Sequence, residues 1–402
     1  MDDIASITMV AVGDISLGMG VRQNIGTNGV DFVFANVLHE LGDADLRIGN
    51  LEMVFPGREI AAKKECGEIW ASNHAFPSLA RARFNVLTLA NNHIMDSGTA
   101  GLINTINLLD GEKILHTGAH INSRKASEPA ILDLGILTMG VISCADDEGQ
   151  IAGRNSPGVA EATEKNVLRA VAALKNRVDV IILCLHMGLE FEHYPDSYKV
   201  SLARKSASAG ANVILCHHPH VLQGIEVHNG SLICYSLANY VFHVHGNAYQ
   251  DHCLPYSAWS VMVKIKLSKA GYMSHVLVPV VLGADHRPSL VQGPDRERII
   301  DHIERISMPL HDGECIERLY RSACKRCARE NYWWFRGFLR ANKFRLVGKR
   351  FWILINRSPQ RRWIAGYFRH LFSPLTDSFR KNSVDNRLLG YRPINWEEKT
   401  GE

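Results

Sequence analysis

The chain has 402 residues, 46% of them hydrophobic and 21% charged, with a formal net charge of +4. That composition excludes a disordered or low-complexity protein and allows one large core with an appendage, or two domains. The charge is uneven: residues 318–370 hold 15 Lys/Arg against one acidic residue, Glu330, which leaves 30 basic and 40 acidic residues elsewhere, a balance of −10.

Met1-Asp2-Asp3 is acidic and leads almost at once into an apolar run at 7–12. A secretory signal needs a basic start, a longer apolar stretch and a small-residue cleavage site, so none is expected. Further strand candidates lie at 45–48, 85–89, 136–142, 178–185 and 212–216, with helices predicted at 98–109, 160–175 and 197–209. Gly210 is a natural stop for the last of these. The longest apolar run, 178–185, is interrupted by Asp179 and ends at His186, far short of the ~20 residues that span a bilayer. Nine cysteines lack paired spacing, and Cys144, Cys184, Cys216 and Cys234 sit inside apolar runs, where cysteine is a small core residue. A reducing cytoplasm is the expected compartment.

After residue 219 the rhythm changes. Segments 221–228 and 231–237 flank Asn229-Gly230, the favoured dipeptide of a tight hairpin, and 257–267 with 273–282 reads as a second antiparallel pair. Strand–helix units followed by hairpins predict an α/β sandwich of two mixed sheets flanked by helices. The expected division is a main domain at 1–294 and a basic, aromatic-rich helical region at 295–402.

Polar residues recur just after the predicted strands, where loops at a sheet edge converge. They are Gly13-Asp14, Gly49-Asn50-Leu51-Glu52, the run from Asn91 to Asp96, the run from His186 to Glu190, and His217-His218-Pro219-His220. Singly, each has an ordinary explanation. Asp14 can simply end a strand, Glu52 can be a solvated loop residue, and His93 or His186 can be a hydrogen-bonded core histidine. Together they form the mixed oxygen and nitrogen set that first-row divalent ions favour. Two histidines separated by one proline can approach a metal pair from one side.

The ordered motifs Gly-Asp, Asn-Leu-Glu, Ala-Asn-Asn-His-x-x-Asp, His-x-Gly-x-Glu, the run 217–226 and the run 235–242 resemble the CapA family of capsule and poly-gamma-glutamate synthesis proteins. The resemblance covers about residues 7–285. That family in turn resembles the calcineurin-type metallophosphoesterases. By that resemblance Asp14 and His220 bind a first metal, Glu52 bridges, Asn92, His186 and His218 bind a second, and His93 donates a proton to the leaving group. It implies one or two divalent ions of the Mn, Fe or Zn class and phosphoester-type hydrolysis in surface polymer biosynthesis. Such ions acidify water and polarise a phosphoryl oxygen, and an imidazole has a suitable pKa for the proton. Two alternatives remain: a peptide epimerase with His93 and Glu190 as acid and base, and a non-catalytic polymer-binding subunit. Three positions depart from the pattern. Ser16 stands where a histidine ligand is usual, and Cys216 and Ala238 stand where glycines are usual. Relatives often carry an N-terminal membrane anchor, for which nothing here reads.

In the basic segment, 12 aromatics interleave with the 15 cations, and Arg336, Arg340 and Lys343 recur at helical spacing. Such a helix suits an anionic bilayer at the inner membrane face; the alternative is a lid packed on the main domain. Nucleic-acid binding has only charge in its favour, with no recognised module, and is not expected. Cys324-Lys325-Arg326-Cys327 lacks the second pair a zinc site needs.

Overall fold

The structure, a computed structural model, describes residues 5–57, 69–146, 150–340 and Ile364. Alternation decides how its first strand is used. Along β1 (Ser6–Ile15), Ile7, Met9 and Ala11 enter one core while Val10, Val12 and Ile15 enter another. That is the two-residue period of a pleated strand buried on both faces. On one side β1 pairs in parallel with β2 (Leu46–Leu51), followed by β3 (Val86–Thr88) and β4 (Leu115–Thr117). On the other it pairs antiparallel with β14 (Trp259–Ser268), which leads to β15 (Gly271–Leu282) and β16 (Pro288–Leu290). The short β13 (Asn239–Val241) lies parallel to the end of β1.

The second sheet has the order β11 (Ile225–His228), β12 (Ser231–Cys234), β10 (Val213–His217), β9 (Val180–His186), β7 (Thr138–Ala145), β6 (Ala130–Asp133). A two-stranded pair, β5 (Ala119–His120) and β8 (Gly158–Val159), stands apart. In β9, Val180, Ile182 and Cys184 meet the first sheet, while Ile181, Leu183 and Leu185 face the outer helices. Fully burying each such side chain contributes about 1.5–3 kcal/mol. The cysteines follow the same parity: Cys184 and Cys234 lie between the sheets, Cys144 and Cys216 beneath the helices.

Six described helices reach ten residues: α1 (Met19–Asn28), α2 (Gly98–Gly111), α3 (Glu164–Leu174), α4 (Ser197–Ala209), α5 (Gly293–Ser307) and α6 (Gly313–Arg340). α1 and α2 cover the outer face of the first sheet through Val21, Ile25, Leu102 and Ile106. α3 and α4 cover the second through Val167, Val171, Leu202 and Ala203. Ile299, Ile303 and Ile306 of α5 join the inter-sheet core. The helix predicted at 160–175 begins only at Glu164, because Thr163 caps it by accepting from Asn166 N and the residues before it run extended, with Ala162 N bonded to Ala145 O. At the β11–β12 hairpin, Asn229 and Gly230 have φ of 50° and 75°, as a type I′ turn requires. No described helix is long and apolar enough to cross a membrane. Of the basic segment 318–370, residues 341–370 lie outside the described residues except for Ile364.

Candidate metal centre

Register brings the polar strand ends side by side. Asp14 is opposite Asn50 on β2 and Asn239 on β13, and His217 is opposite His186. Gly13 makes the approach of β1 and β13 possible: a Cβ there would stand 2.0 Å from Ala238 O, whereas glycine lets Asp14 N donate to that oxygen at 2.9 Å. The Asp14 carboxylate accepts from Asn50 Nδ2 at 2.9 Å and from His218 N at 3.2 Å, and lies 2.9 Å from His217 Nδ1. Burial pushes this carboxyl up, but His217, His186 and His220 together outweigh it and hold Asp14 below the usual carboxylate range.

Glu52, just past β2, is in the opposite condition. It is fully buried, and among the described residues neither carboxylate oxygen accepts a hydrogen bond. Its Oε1 is 3.6 Å from His220 Nε2 and 3.9 Å from both His93 Nε2 and His186 Nε2. Those separations are too long for hydrogen bonds. They fall in the ~3–4 Å range expected for two donors each about 2.1 Å from one ion. Burial first, then the charges of Asp14 and Glu190, raise the Glu52 carboxyl well above its ordinary value. An ionised carboxylate is costly to bury without a partner, and a cation is the partner this donor set fits.

The remaining donors come from the loops after β3 and β10 and from the end of β9. After β3, Asn91 locks its own turn: its Oδ1 accepts from His93 N and Ile94 N, and its Nδ2 donates to Leu51 O at 2.8 Å. Asn92 Oδ1 and His186 Nε2 lie 2.9 Å apart. His93 Nδ1 is 2.8 Å from Asp96 Oδ2, leaving Nε2 toward Asn92 and Glu52. After β10, His218 and His220 adopt φ of 96° and 57°. These left-handed positions cost of order 1–3 kcal/mol each and turn both imidazoles to one side, with ring centroids 6.1 Å apart. His186 joins them 4.8 Å from the His218 ring. Burial lowers the pKa of His186 and His220, favouring neutral rings with a lone pair to offer.

Asn239 settles which lone pair His220 presents. Its Nδ2 donates to Ser257 O at 3.0 Å, so its Oδ1 accepts from His220 Nδ1 at 2.9 Å and His220 Nε2 is left facing Glu52. Metal-binding histidines are commonly oriented this way. Three overlapping groups have ligand atoms within 4.8 Å of one another: Glu52, His186 and His218; Asp14, Glu52 and His220; and Glu190, His218 and His220.

The structure therefore gathers Asp14, Glu52, Asn92, His93, His186, Glu190, His218 and His220 into one cluster. The Ser16 Oγ accepts from Gly18 N at 3.3 Å in its own turn. Cys216 fits without crowding, because it lies in β10 in the helix-side core. Ala238 does occupy a glycine-like conformation, with φ of 60°. Sequence reasoning placed Asn50, His217 and Asn239 in the motifs but gave them no role of their own; here they lie against the donors. Their only signal was a polar residue at a strand end.

Residues 8–244 match the family described as bacterial capsule synthesis protein PGA_cap. Relatives include the PGA biosynthesis protein CapA of Bacillus subtilis, 32% identical over 60% of this chain and 64% of that one. The capsule biosynthesis protein CapA of Bacillus anthracis is 29% identical over 59% and 60%. The match thus spans less than two thirds of either relative's length. Among solved structures, a phosphatase from Mycoplasma pneumoniae overlaps 75% of this chain and 100% of its own, with a TM-score of 0.45 and 14% identity. The family match takes in more than half of the sequence and nearly every strand end just described, and the chain belongs to the bacterial capsule synthesis protein family, PGA_cap.

Proposed function

We propose that this chain is a divalent-cation-dependent hydrolase of phosphoester-type bonds that serves surface polymer biosynthesis. The polymer assignment rests on the family and on relatives that are a PGA and a capsule biosynthesis protein. The observation that carries the chemistry is Glu52, a fully buried carboxylate without a hydrogen-bond donor, ringed by three imidazole Nε2 atoms at 3.6–3.9 Å. Asp14, Glu52 and His220 would hold one ion, and Asn92, His186 and His218 another, with Glu52 between them. A bound divalent ion of the Mn, Fe or Zn class supplies positive charge that polarises a phosphoryl oxygen and acidifies water.

The protein's own groups do the rest. Asn50 Nδ2 donates to Asp14 at 2.9 Å and lies 3.3 Å from His186 Nδ1, placing donors from the two sheets side by side. Asp96 accepts from His93 Nδ1, fixing the orientation of the ring. His93 is the part-exposed member of the ring, at 21%. Its Nε2 is placed to give a proton to a departing alkoxide, and a positioned acid of this kind contributes 10²–10⁴-fold.

The test is an assay of chelator-stripped, Mn2+-reloaded protein on p-nitrophenyl phosphate, bis-p-nitrophenyl phosphate and a peptide. Phosphoester turnover that requires the ion is expected. His93→Ala should keep Mn2+ and lose on the order of 10²–10⁴-fold in rate. Absence of ion-dependent phosphoester turnover, or loss of Mn2+ from His93→Ala as complete as from His218→Ala, contradicts the reading.

A further inference from the structure

Glu190 sits where the loop after β9 turns back on the cluster. Gly188 and Phe191 have φ of 120° and 60°, and Phe191 N donates to Pro219 O at 2.8 Å, joining this loop to the His218–His220 turn. The two oxygens of Glu190 are treated differently. Oε2 accepts from the Tyr249 hydroxyl; Oε1 faces inward, 3.8 Å from His220 Nε2. His220 Nε2 therefore has one carboxylate oxygen on each of two sides, Glu52 at 3.6 Å and Glu190 at 3.8 Å, while Asn239 occupies its Nδ1. Two carboxylates converging on a neutral imidazole repel each other, and Glu190 is among the charges that raise the Glu52 carboxyl.

We infer that Glu190 is a cation ligand at the His220 end of the cluster, and that Tyr249 is its positioning residue. The inference rests on the proposed cation site and replaces an acid–base role for Glu190. On the β1 side, Ser16 Oγ accepts from Gly18 N at 3.3 Å. Glu190 offers a carboxylate oxygen from the loop after β9, with ligand atoms of Glu190, His218 and His220 within 4.8 Å of one another. One short segment serves both ends of the arrangement: Tyr249 bonds Glu190, and the next residue, Gln250, accepts from Asn239 Nδ2 at 3.3 Å, the amide that orients His220.

Full-length, chelator-stripped protein titrated with Mn2+ alone, followed by electron paramagnetic resonance, tests this. Glu190→Gln should weaken Mn2+ binding on the order of 10–100-fold, and Tyr249→Phe should weaken it less, neither with a lowered cation-free melting temperature. Glu190 is only part-buried, at 28% exposure, and removing its charge relieves the repulsion with Glu52. If Glu52→Gln loses Mn2+ affinity while Glu190→Gln binds like the unmutated protein, the ligand role is overturned and the cation site stands. Native affinity with a lost rate in Glu190→Gln would return the residue to acid–base chemistry. If the unmutated protein binds no Mn2+, the underlying site falls as well.

Discussion

Glu52 has a stability consequence that can be measured without any substrate. Its carboxyl is raised well above the ordinary 4.5 by burial and by the neighbouring carboxylates. Without a cation, a raised acid stabilises the fold fully below the unfolded pKa, and that contribution is lost as pH rises through the folded value. Measured against Glu52→Gln, in which the buried histidines contribute alike, chelator-treated protein should therefore lose stability between pH 5 and pH 8. Glu52→Gln, which has no proton to lose, should recover on the order of 1–3 kcal/mol at pH 8 while losing Mn2+ affinity. Denaturant titrations at the two pH values check this, and parallel pH slopes for the two proteins would refute it. The donors of the cluster were legible because carboxylates, imidazoles and an Asn-Asn-His run all follow apolar runs. Asn50, His217 and Asn239 were not. An amide's role depends on which groups tertiary packing brings within 3 Å, and nothing local distinguishes Asn239 from a turn asparagine.

Strands rather than loops set the geometry, and one glycine decides how closely two of them approach. Gly13→Ala would place a methyl 2.0 Å from the Ala238 carbonyl, a backbone atom that cannot swing aside. The expected outcome is a loss of roughly 1–3 kcal/mol or more, together with weakened Mn2+ binding as Asp14 shifts. Gly26→Ala is the control. Nothing lies within 4 Å of a Cβ at that position in α1, so it should be neutral or stabilising by up to about 1 kcal/mol. Equal melting temperatures for Gly13→Ala and the unmutated chain would contradict the close approach. Long apolar strands such as β1 and β9 were readable from their runs, and α4 from its Gly210 stop. The three-residue β4 and the two-residue β5 and β8 were not, because pairing across the chain, rather than local propensity, makes them strands. The predicted start of α3 came four residues early because alanines at 160 and 162 read as helix while tertiary pairing holds them extended.

The charge imbalance belongs to the molecule as a whole. α6 begins as a docked helix, with Ile316 and Cys324 buried, Ser197 Oγ donating to Glu317 at 2.5 Å, and Arg326 paired with Glu192. Arg318 and Arg321 on the same helix are 43% and 39% exposed. Each cation at an anionic lipid surface contributes on the order of 1 kcal/mol, so a third of the 15 would contribute roughly 5 kcal/mol, weakened by salt. Full-length protein should co-sediment with anionic liposomes at low salt and be released at high salt. A chain truncated after residue 340 should bind more weakly. Full-length protein left in the supernatant at low salt contradicts the membrane role and favours a purely packing one.

Both sheets contribute to one point: Asp14 lies near the end of β1 and Glu52 just past β2 in the first, His186 ends β9 and His218 follows β10 in the second. A divalent cation bound between them is the reason proposed here for that convergence. Anomalous diffraction from crystals soaked in Mn2+ tests it most directly. A Mn2+ peak is expected within about 2.3 Å of a Glu52 carboxylate oxygen and of at least two imidazole nitrogens among His186, His218 and His220. Ordered side chains with no peak at Glu52 would contradict it.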